Sequence, residues 1–448
     1  MIPAHPPASA CGSSEPPPET LADLGEWELI RRLGAFAPPG QFADDAALLV
    51  LAAGDDRSLV VNTDVLVEDL HFSDRTTAAA DVGWRAAAAN LSDLAAMGAT
   101  EVVGITVALV APAHTRWSWV EGVYQGMAEA LRLHGGLLLG GDCSGGCQRL
   151  LAVTAIGRLP PAGRCGEGQP AGPDHGPDHG PDHGLDHSPP RPGEPLRPPA
   201  ADGPGLRQPR SAAVGIAGAI RRGDGRPGDR LLCTGPHGLS RLGLALLQAE
   251  RLQAATAPER GPAARATAQL PDDGGATAAT AGRQGQSDDD PDHLASRTGL
   301  DVNLIRRAIE AHRRPRPRFD AVQALIRCRP GGQPWRVAGC DSSDGLAAAV
   351  AAIAGASGCA ARLDHTALPV DAAMRTLAQA EAWCLHGGED FELVLALDPV
   401  WARSLQRALP GCRLIGELTG GRAGSLGWSQ GGSWPTATTG GQGFCHFS

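Results

Sequence analysis

Acidic side chains beside small residues recur where the sequence predicts the ends of strands and turns, and such a pattern indicates a divalent-cation site. Carboxylate oxygens are ligands that magnesium prefers, and magnesium commonly bridges one or two carboxylates to substrate phosphates. Acids dispersed over several segments, without a cluster of Cys or His, favour magnesium over zinc. The residues of this kind are Asp44, Asp45, Asp64, Asp93, Asp142, Asp341, Asp344, Glu389 and Asp390.

Asp93 is the acid whose surroundings say most on physical grounds alone. It stands in NLSDLAAMGA, inside a predicted helix of nearly all apolar residues, so its carboxylate is expected to be buried. Burying a lone carboxylate costs several kcal/mol unless something pairs with it. Asn90 lies one helical turn back on the same face, and no arginine follows within reach. A divalent cation would supply the missing partner.

Each acidic residue also has an ordinary structural interpretation when it is considered singly. An aspartate at the end of a strand is most often a turn residue or a helix cap. Asp341, followed by Asp344, is equally typical of a box that caps a helix beginning near Leu346. The joint occurrence of these acids, rather than any one of them, indicates a metal site.

Lysine is absent from the sequence, and the 39 basic residues are all arginine. Schiff-base chemistry and a Walker-type phosphate loop both need a lysine, so both are excluded. Metals, arginines and backbone amides would therefore have to neutralise any bound phosphate. The formal charge of −10 and the lack of a nucleic-acid-binding motif predict no nucleic-acid partner.

Apolar runs and cysteine usage predict no membrane partner and a cytoplasmic location. The longest apolar run, Leu346–Ala361, is interrupted by Gly355, Ser357 and Gly358, so it is not expected to span a bilayer. The opening residues lack the basic and apolar regions of a secretory signal. The eleven cysteines contain no Cys-x-x-Cys pair, which favours reduced thiols in a cytoplasm.

Alternating strand and helix patterns predict an α/β (α+β) protein that can position these acids. The run 58–63 predicts a strand that ends at Asp64. Asp81 is predicted to cap an Ala-rich helix that reaches about Met97. The segment 135–142 predicts a strand that ends in a Gly-Gly-Asp turn.

Changes in composition divide the chain into folded and low-complexity segments. Residues 1–20 are predicted to be a disordered tail, and 21–159 an N-terminal domain that binds ATP and magnesium. Residues 160–218, which contain PDHGPDHGPDHGLDH, are predicted to be a low-complexity, disordered insertion. Residues 219–447 are predicted to form a C-terminal α/β domain that carries a second low-complexity insertion at 251–299.

The order of the motifs resembles that of the thiamine-monophosphate kinase family, in the superfamily that also holds aminoimidazole-ribonucleotide synthase and selenophosphate synthetase. The resemblance covers about 24–159, 219–249 and 301–447. It implies a two-domain PurM-like architecture, in which the N-terminal mixed sheet and its helices form a barrel in a homodimer. The matching motifs are ADDAA (43–47), NTDVLVEDLHF (62–72), NLSDLAAMGA (90–99), GGD (140–142), RPGD (226–229), DSSDGL (341–346), GGEDFEL (387–393) and GFCHF (443–447).

The resemblance implies ATP-dependent phosphorylation of thiamine monophosphate to thiamine diphosphate, assisted by several Mg²⁺ ions. The acceptor phosphate is already an anion at neutral pH, so no catalytic residue is expected beyond the metal ligands. The implied metal ligands are Asp45, Thr63, Asp64, Asp93, Asp142, Asp341 and Asp344. The implied ATP contacts are Gly141, Arg222 and Ser343. The implied contacts to thiamine monophosphate are His71, Glu389 and Phe444, although a hydrogen-bonded structural role for the histidine is nearly as well supported.

The sequence departs from the family pattern at a few positions. After GGD the family often carries an arginine, whereas this chain reads CSGG at 143–146, with Arg149 nearby and unassigned. Asn62 stands where some members have serine, and Ala43 where a glycine is usual. The loop after Asp142 is therefore where the resemblance is thinnest.

Two alternatives remain open at the level of sequence. One is another ATP-dependent enzyme of the same superfamily. The superfamily also has a hydrogenase maturation branch that ends in a reactive cysteine, whereas Cys445 is not terminal in this sequence. The other is a His-rich metal-binding protein, because imidazoles repeat every four residues and could bind nickel or zinc. Pro and Gly in each repeat unit prevent these imidazoles from sharing a helical face. The repeated imidazoles are His175, His179, His183 and His187.

Overall fold

The structure is a computed structural model, and it describes residues 28, 30–31, 43–49, 58–161, 218–248, 290–431 and 434. Its strands form two mixed sheets against which helices pack, which confirms the predicted α/β (α+β) class. The predicted tail, the Asp-His repeat and Phe444 lie outside the described residues. None of the described helices is both long enough and apolar enough to cross a membrane.

The first sheet contains five strands of the N-terminal half. They are β1 (Ala47–Leu49), β2 (Leu59–Val67), β3 (Glu101–Ala111), β4 (Leu137–Gly145) and β5 (Leu150–Arg158), in the spatial order β1-β2-β5-β3-β4. β5 pairs antiparallel with both β2 and β3, whereas β4 pairs parallel with β3. The residues of β5 alternate between buried and half-buried, as expected for a sheet with one face on a core.

Two helices, α1 (Ala79–Ala96) and α2 (Trp117–His134), pack closely together, and α1 also lies on β2 and β5. Small residues permit this approach. A Cβ added at Gly126 of α2 would lie only 1.8 Å from the carbonyl oxygen of Ala80 in α1. Alanines on α1 therefore let the helix sit deep in the core, with Leu91 fully buried.

The predicted start of α1 is wrong by a few residues. Ala78 is the N-cap and makes no side-chain cap bond, whereas Asp81 lies inside the first turn. A carboxylate there is favourable because it faces the positive end of the helix dipole. Asp81 also accepts a hydrogen bond from Arg314 Nε at 2.6 Å, a contact from the second half of the chain.

β4 is the outer strand of the first sheet, and each of its nine residues is exposed. The predicted Gly-Gly-Asp turn is wrong, because the strand continues through Asp142 to Gly145. Gly141 pairs with Val107 of β3, and a Cβ at this glycine would lie 1.8 Å from the Val107 carbonyl oxygen. Over the described ranges the sheet stays open at β4, so a single chain closes no barrel.

The second sheet contains six strands, of which only β8 and β11 pair in parallel. They are β6 (Arg230–Cys233), β7 (Ala338–Asp341), β8 (Ala360–Leu363), β9 (Leu393–Leu397), β10 (Arg413–Thr419) and β11 (Leu426–Trp428), in the order β11-β8-β10-β6-β9-β7. β9, an inner strand between β6 and β7, reads LVLAL and is buried throughout, as a strand covered on both faces must be.

Seven helices accompany this sheet among the described residues. They are α3 (Leu239–Leu247), α4 (Pro291–Thr298), α5 (Val302–Arg313), α6 (Phe319–Arg327), α7 (Leu346–Ala356), α8 (Ala380–His386) and α9 (Pro399–Ala408). α4 lies within the segment 251–299 for which low complexity was predicted, so that segment is folded at its C-terminal end. Asp290 and Asp301 begin α4 and α5 with side-chain caps.

The arginine-rich run at 312–318 ties the second half of the chain to the helices of the first. Arg313 Nε donates to the Thr76 carbonyl oxygen at 2.9 Å. Trp84 Nε1 of α1 donates to the Pro315 carbonyl oxygen at 2.8 Å, and the Arg314 guanidinium lies 5.3 Å from the Trp84 ring centroid. These contacts fix α1 and α5 relative to each other at the edge of the cleft described next.

Candidate active site

A cavity of about 680 Å³ opens between the two halves of the chain. β2, α1 and the loop after β2 form one wall, and α3, α5 and the segments 341–344 and 387–391 form the other. The side chains in its walls that could bind a charged ligand include Thr63, Asp64, His71, Arg85, Asp93, His312, Asp341, Ser343, Asp344 and Glu389.

Acids from four separate segments meet beside this cavity, and all of them except Asp45 line it. Carboxylate oxygens of Asp45, Asp93 and Asp341 lie within 4.8 Å of one another. Asp64 is close enough to raise the pKa of Asp93, and Asp344 raises that of Asp64. We call Asp45, Asp64, Asp93, Asp341 and Asp344 the carboxylate cluster.

The carboxylate cluster holds more negative charge than its surroundings neutralise. Burial, together with Asp341 and Asp344, raises the pKa of Asp64 to about 6. Burial raises the pKa of Asp93 well above its ordinary value, and Asp64, Asp341 and Asp45 raise it further. Ionised carboxylates so near to one another repel, which is the usual sign of a site that a cation completes.

Asp45 gives the clearest indication that a cation fits here. Its side chain is only 2% exposed, and one oxygen pairs with Arg222. The other oxygen, Oδ2, is buried and has no hydrogen-bond partner among the described residues. Burial raises the pKa of Asp45 to about 7 even though Arg222 lowers it. An all-oxygen set with one unsatisfied buried carboxylate oxygen suits magnesium.

Amides and hydroxyls hold the cluster in place. Asn62 Nδ2 of β2 donates to Asp93 Oδ2 at 2.8 Å, so the asparagine that departs from the family pattern has a defined contact. Asn90 Oδ1 accepts from the backbone N–H of Asp64 at 3.1 Å. Asn90, which lies one helical turn before Asp93, therefore fixes β2 through the Asp64 backbone. Ser92 Oγ donates to Asp341 Oδ2 at 2.7 Å and joins α1 to β7.

Arg222 begins a short 3₁₀ turn, Arg222–Asp224. Its guanidinium pairs with Asp45, and its backbone N–H donates to Asp44 Oδ1 at 2.9 Å. The arginine is absent from the cavity walls and its contacts order the ADDAA segment. Its predicted contact to ATP stays a prediction.

The cavity walls also carry the two described residues predicted to bind thiamine monophosphate. His71 Nδ1 accepts from the backbone N–H of Val67 at 3.0 Å, which leaves the proton on Nε2. Glu389 Oε1 accepts from Arg85 Nη2 at 2.5 Å. Glu389 has a φ of +57°, a conformation that costs energy for a residue with a side chain and that recurs at functional sites.

Not every predicted site residue joins the cavity. Gly141 and Asp142 lie on β4, which β5 and β3 separate from β2. Thr63 lines the cavity, and its hydroxyl is bonded to the Thr154 hydroxyl at 2.8 Å. Ser343 Oγ donates to Asp341 Oδ1 at 2.9 Å and so supports the carboxylate cluster.

Sequence reasoning missed two buried residues that shape the Glu389 end of the cavity. Arg85 is 4% exposed, bonds to Glu389, and donates to the carbonyl oxygen of His312, itself 2% exposed. Burial lowers the pKa of His312 well below its ordinary value, so this imidazole is neutral. A lone arginine inside an Ala-rich helix was the available signal, because a charge at a buried helical position needs a partner.

Comparisons with known proteins bear on the first half and on the whole chain. Residues 43–159 match the family described as AIR synthase related protein, N-terminal domain. The chain is 36% identical over 413 residues to the thiamine-monophosphate kinase of Prochlorococcus marinus, covering 92% of this chain and 93% of that protein. It is 36% identical over 401 residues to the thiamine-monophosphate kinase of Synechococcus elongatus, covering 89% and 90%.

Solved structures share the fold. AaThiL complexed with AMPPCP and TMP superposes with a TM-score of 0.63 at 20% identity, covering 96% of this chain and 100% of that one. Thiamine monophosphate kinase from Stenotrophomonas maltophilia superposes with a TM-score of 0.52 at 24% identity, covering 89% and 95%. These likenesses confirm the PurM-like arrangement of two α/β halves.

Proposed function

Because the chain belongs to the thiamine-monophosphate kinase family, we propose that it transfers the terminal phosphoryl group of ATP to thiamine monophosphate and so forms thiamine diphosphate. The observation that carries the proposal is the carboxylate cluster beside a cavity whose walls also hold His71 and Glu389. A cavity of about 680 Å³ has the size of a small-molecule site.

The reaction asks the protein mainly for positioning and for neutralisation of charge. The acceptor is a phosphate oxygen that is already an anion at neutral pH, so no strong general base is needed. His71 Nδ1 is occupied by the Val67 amide, which agrees with a binding role for the ring. The two halves of the chain bring the donor and acceptor phosphates together and exclude water between them.

We propose Mg²⁺ as the cofactor, held by the carboxylate cluster. The orphaned Oδ2 of Asp45 and the mutual proximity of Asp45, Asp93 and Asp341 support this assignment. When bound, the cations neutralise the charge that two approaching phosphates share. Without lysine in the sequence, the chain has no ammonium group to do so.

We further propose that the protein forms a homodimer through the first sheet. β4 is an edge strand of the sheet that the described residues form, and Leu137, Leu138 and Leu139 on it are 69%, 49% and 47% exposed. Long apolar edges of this kind usually pair with another chain. Gly141 and Asp142 lie on the same strand, so their predicted contacts to ATP and metal would form across the dimer interface. Sedimentation velocity measures the dimer directly.

We also place the protein in the cytoplasm. The cysteines that the structure describes are all free thiols, which is usual in a reducing compartment. The donor nucleotide of the proposed reaction is made and used in the same compartment. The His-rich metal-binding alternative concerns residues outside the described ranges, and no described contact favours it.

The test is a coupled ADP-release assay on the purified protein with Mg²⁺ and ATP. Three reactions are compared, with thiamine monophosphate, with free thiamine and with no acceptor. We expect ADP release above the no-acceptor rate with thiamine monophosphate alone. Turnover with free thiamine but not with its monophosphate would show that the acceptor is misassigned.

A further inference from the structure

Arg149 immediately precedes β5, and several side chains hold its guanidinium at once. Its side chain is only 12% exposed. The guanidinium pairs with Glu68 and donates to both oxygens of Asp74, at 3.0 and 2.9 Å. It also lies 4.6 Å from the Trp119 ring centroid and 5.9 Å from that of Phe72.

The two carboxylates held by Arg149 bracket one loop, residues 68–74. Backbone bonds reinforce the connection at its first end, where Glu68 N donates to Arg149 O at 3.0 Å and Arg149 N donates to Glu68 Oε2 at 3.1 Å. Gln148 Nε2 also donates to the Glu68 carbonyl oxygen. The Arg149 side chain therefore joins the two ends of the loop.

This loop forms much of the acceptor end of the cavity. Its residues from Asp69 to Ser73 all line the cavity, and His71 is among them. Asp69 has a φ of +63°, and its N–H donates to the Phe72 carbonyl oxygen at 2.8 Å, which makes a tight turn. A turn with a residue in this conformation persists when the surrounding structure holds it.

We propose that Arg149 is a positioning residue for the acceptor site, one that fixes the loop 68–74 and thereby aims His71 into the cavity. The inference rests on the proposed function only for the identity of the acceptor. The arginine expected after Gly-Gly-Asp is missing at 143–146, and Arg149 does not replace it as a phosphate ligand. Its Nη donors are engaged by Glu68 and Asp74, and the residue is absent from the cavity walls.

The proposal predicts a selective kinetic defect. Arg149→Met keeps much of the side-chain length and removes every bond from the guanidinium to the loop. We expect the KM for thiamine monophosphate to rise about tenfold or more, while the KM for ATP stays within about twofold, because the loop carries His71, the predicted contact to the acceptor. Arg149→Lys keeps the charge but cannot make the bidentate hydrogen bonds to Asp74, so its KM for thiamine monophosphate should lie between those of the wild type and Arg149→Met.

Arg158→Met is the matched control, because Arg158 ends β5, the strand that Arg149 precedes, pairs with Glu101 at 3.3 Å, and does not line the cavity. It should leave both KM values unchanged. Hydrogen exchange of the free protein supplies a readout that does not depend on catalysis. Amides of the loop 68–74 should exchange faster in Arg149→Met than in Arg158→Met.

Equal loop exchange in the two variants overturns the positioning role of Arg149. So does a KM that rises alike for both substrates, since that result would assign Arg149 to the nucleotide or to general stability. A wild-type protein inactive with thiamine monophosphate would overturn the proposed function instead. The exchange comparison still decides the role of Arg149 in that event.

Discussion

Two groups of acids differ in what faces their oxygens. The first is the carboxylate cluster. The second is Asp390 and Glu392, which follow Glu389 in the sequence and which we call the anchoring acids. Asp390 accepts from the backbone N–H groups of Gly238 and Ser240 at 2.7 and 3.1 Å, at the start of α3. Glu392 pairs with Arg318 and accepts from the Thr234 hydroxyl.

A raised pKa does not separate the two groups, because burial raises the pKa of Asp390 to about 7, as it does that of Asp45. The neighbours separate them. The anchoring acids meet backbone donors, a helix N-terminus and an arginine, so their charge is satisfied within the protein. The cluster acids face one another in addition to their donors, and Asp45 Oδ2 accepts from no donor in the described structure. Acids that crowd one another and leave a buried oxygen without a donor indicate a ligand site, whereas buried acids that face donors stabilise the fold.

The largest effect that this comparison predicts is on turnover. Asp93→Asn keeps the shape of the side chain and can still accept from Asn62, but it removes a charge that would bind Mg²⁺. We expect kcat at saturating Mg²⁺ to fall about a thousandfold. Asp292→Asn, which changes an exposed surface acid, is the control for purification and handling. Near-wild-type turnover by Asp93→Asn would remove Asp93 from the metal site.

The next effect is on stability in the presence of the cation. Saturating Mg²⁺ should stabilise the wild type by about 2.7 kcal/mol at a hundredfold excess over Kd, because only the folded cluster binds it. Urea unfolding with and without Mg²⁺ measures the difference. Asp93→Asn should show little stabilisation, and Asp390→Asn should show as much as the wild type. A cation effect lost equally in both variants would contradict the division into two groups.

A smaller effect is expected from the anchoring acids themselves. In Asp390→Asn, the single amide oxygen cannot replace two carboxylate oxygens that accept from Gly238 and Ser240. The start of α3 also loses a favourable negative charge. We expect a loss of about 2 kcal/mol in unfolding free energy, with or without Mg²⁺. Asp93→Asn should be no less stable than the wild type without Mg²⁺, because it removes repulsion. Equal destabilisation by both variants would show that the carboxylate cluster and the anchoring acids do not differ in their role.

The sequence predicted the fold class and the acids of the cluster because both depend on local signals. The apolar run 58–63 predicted the first part of β2, which continues to Val67, and a lone carboxylate in an apolar helix identified Asp93. The family motifs then brought Asp45 and Asp341 to the same site. Their proximity is confirmed by the structure, whereas their metal binding stays a prediction.

Contacts distant in sequence could not be predicted in this way. Arg85 and Glu389 are 304 residues apart, and no local pattern joins them. β4 continues past Asp142 because pairing with β3 extends the strand, although Gly-Gly-Asp is locally typical of a turn. The partners of Arg149 also depend on which loop the sheet places beside it. In each case tertiary packing overrides a local preference.

The smallest effect is a dependence of stability on pH in the metal-free protein. The pKa of Asp64 is about 6 in the folded chain and has an ordinary value of 3.8. The folded state therefore binds more protons between these values, and its stability falls as the pH rises through about 6. Relative to Asp64→Asn, the wild type should lose about 1 kcal/mol between about pH 5 and 7 in urea unfolding with a chelator.

Added Mg²⁺ makes this pH dependence of stability a test of the difference between the carboxylate cluster and the anchoring acids. A cation bound to the ionised cluster removes the advantage of protonating Asp64, so saturating Mg²⁺ should flatten the difference between the wild type and Asp64→Asn. The stability difference between the wild type and Asp390→Asn should also change with pH, around the raised pKa of about 7. Mg²⁺ should leave this difference unchanged, because no cation reaches that acid. If Mg²⁺ flattens both differences, the donors around Asp390 do not set it apart from the cluster.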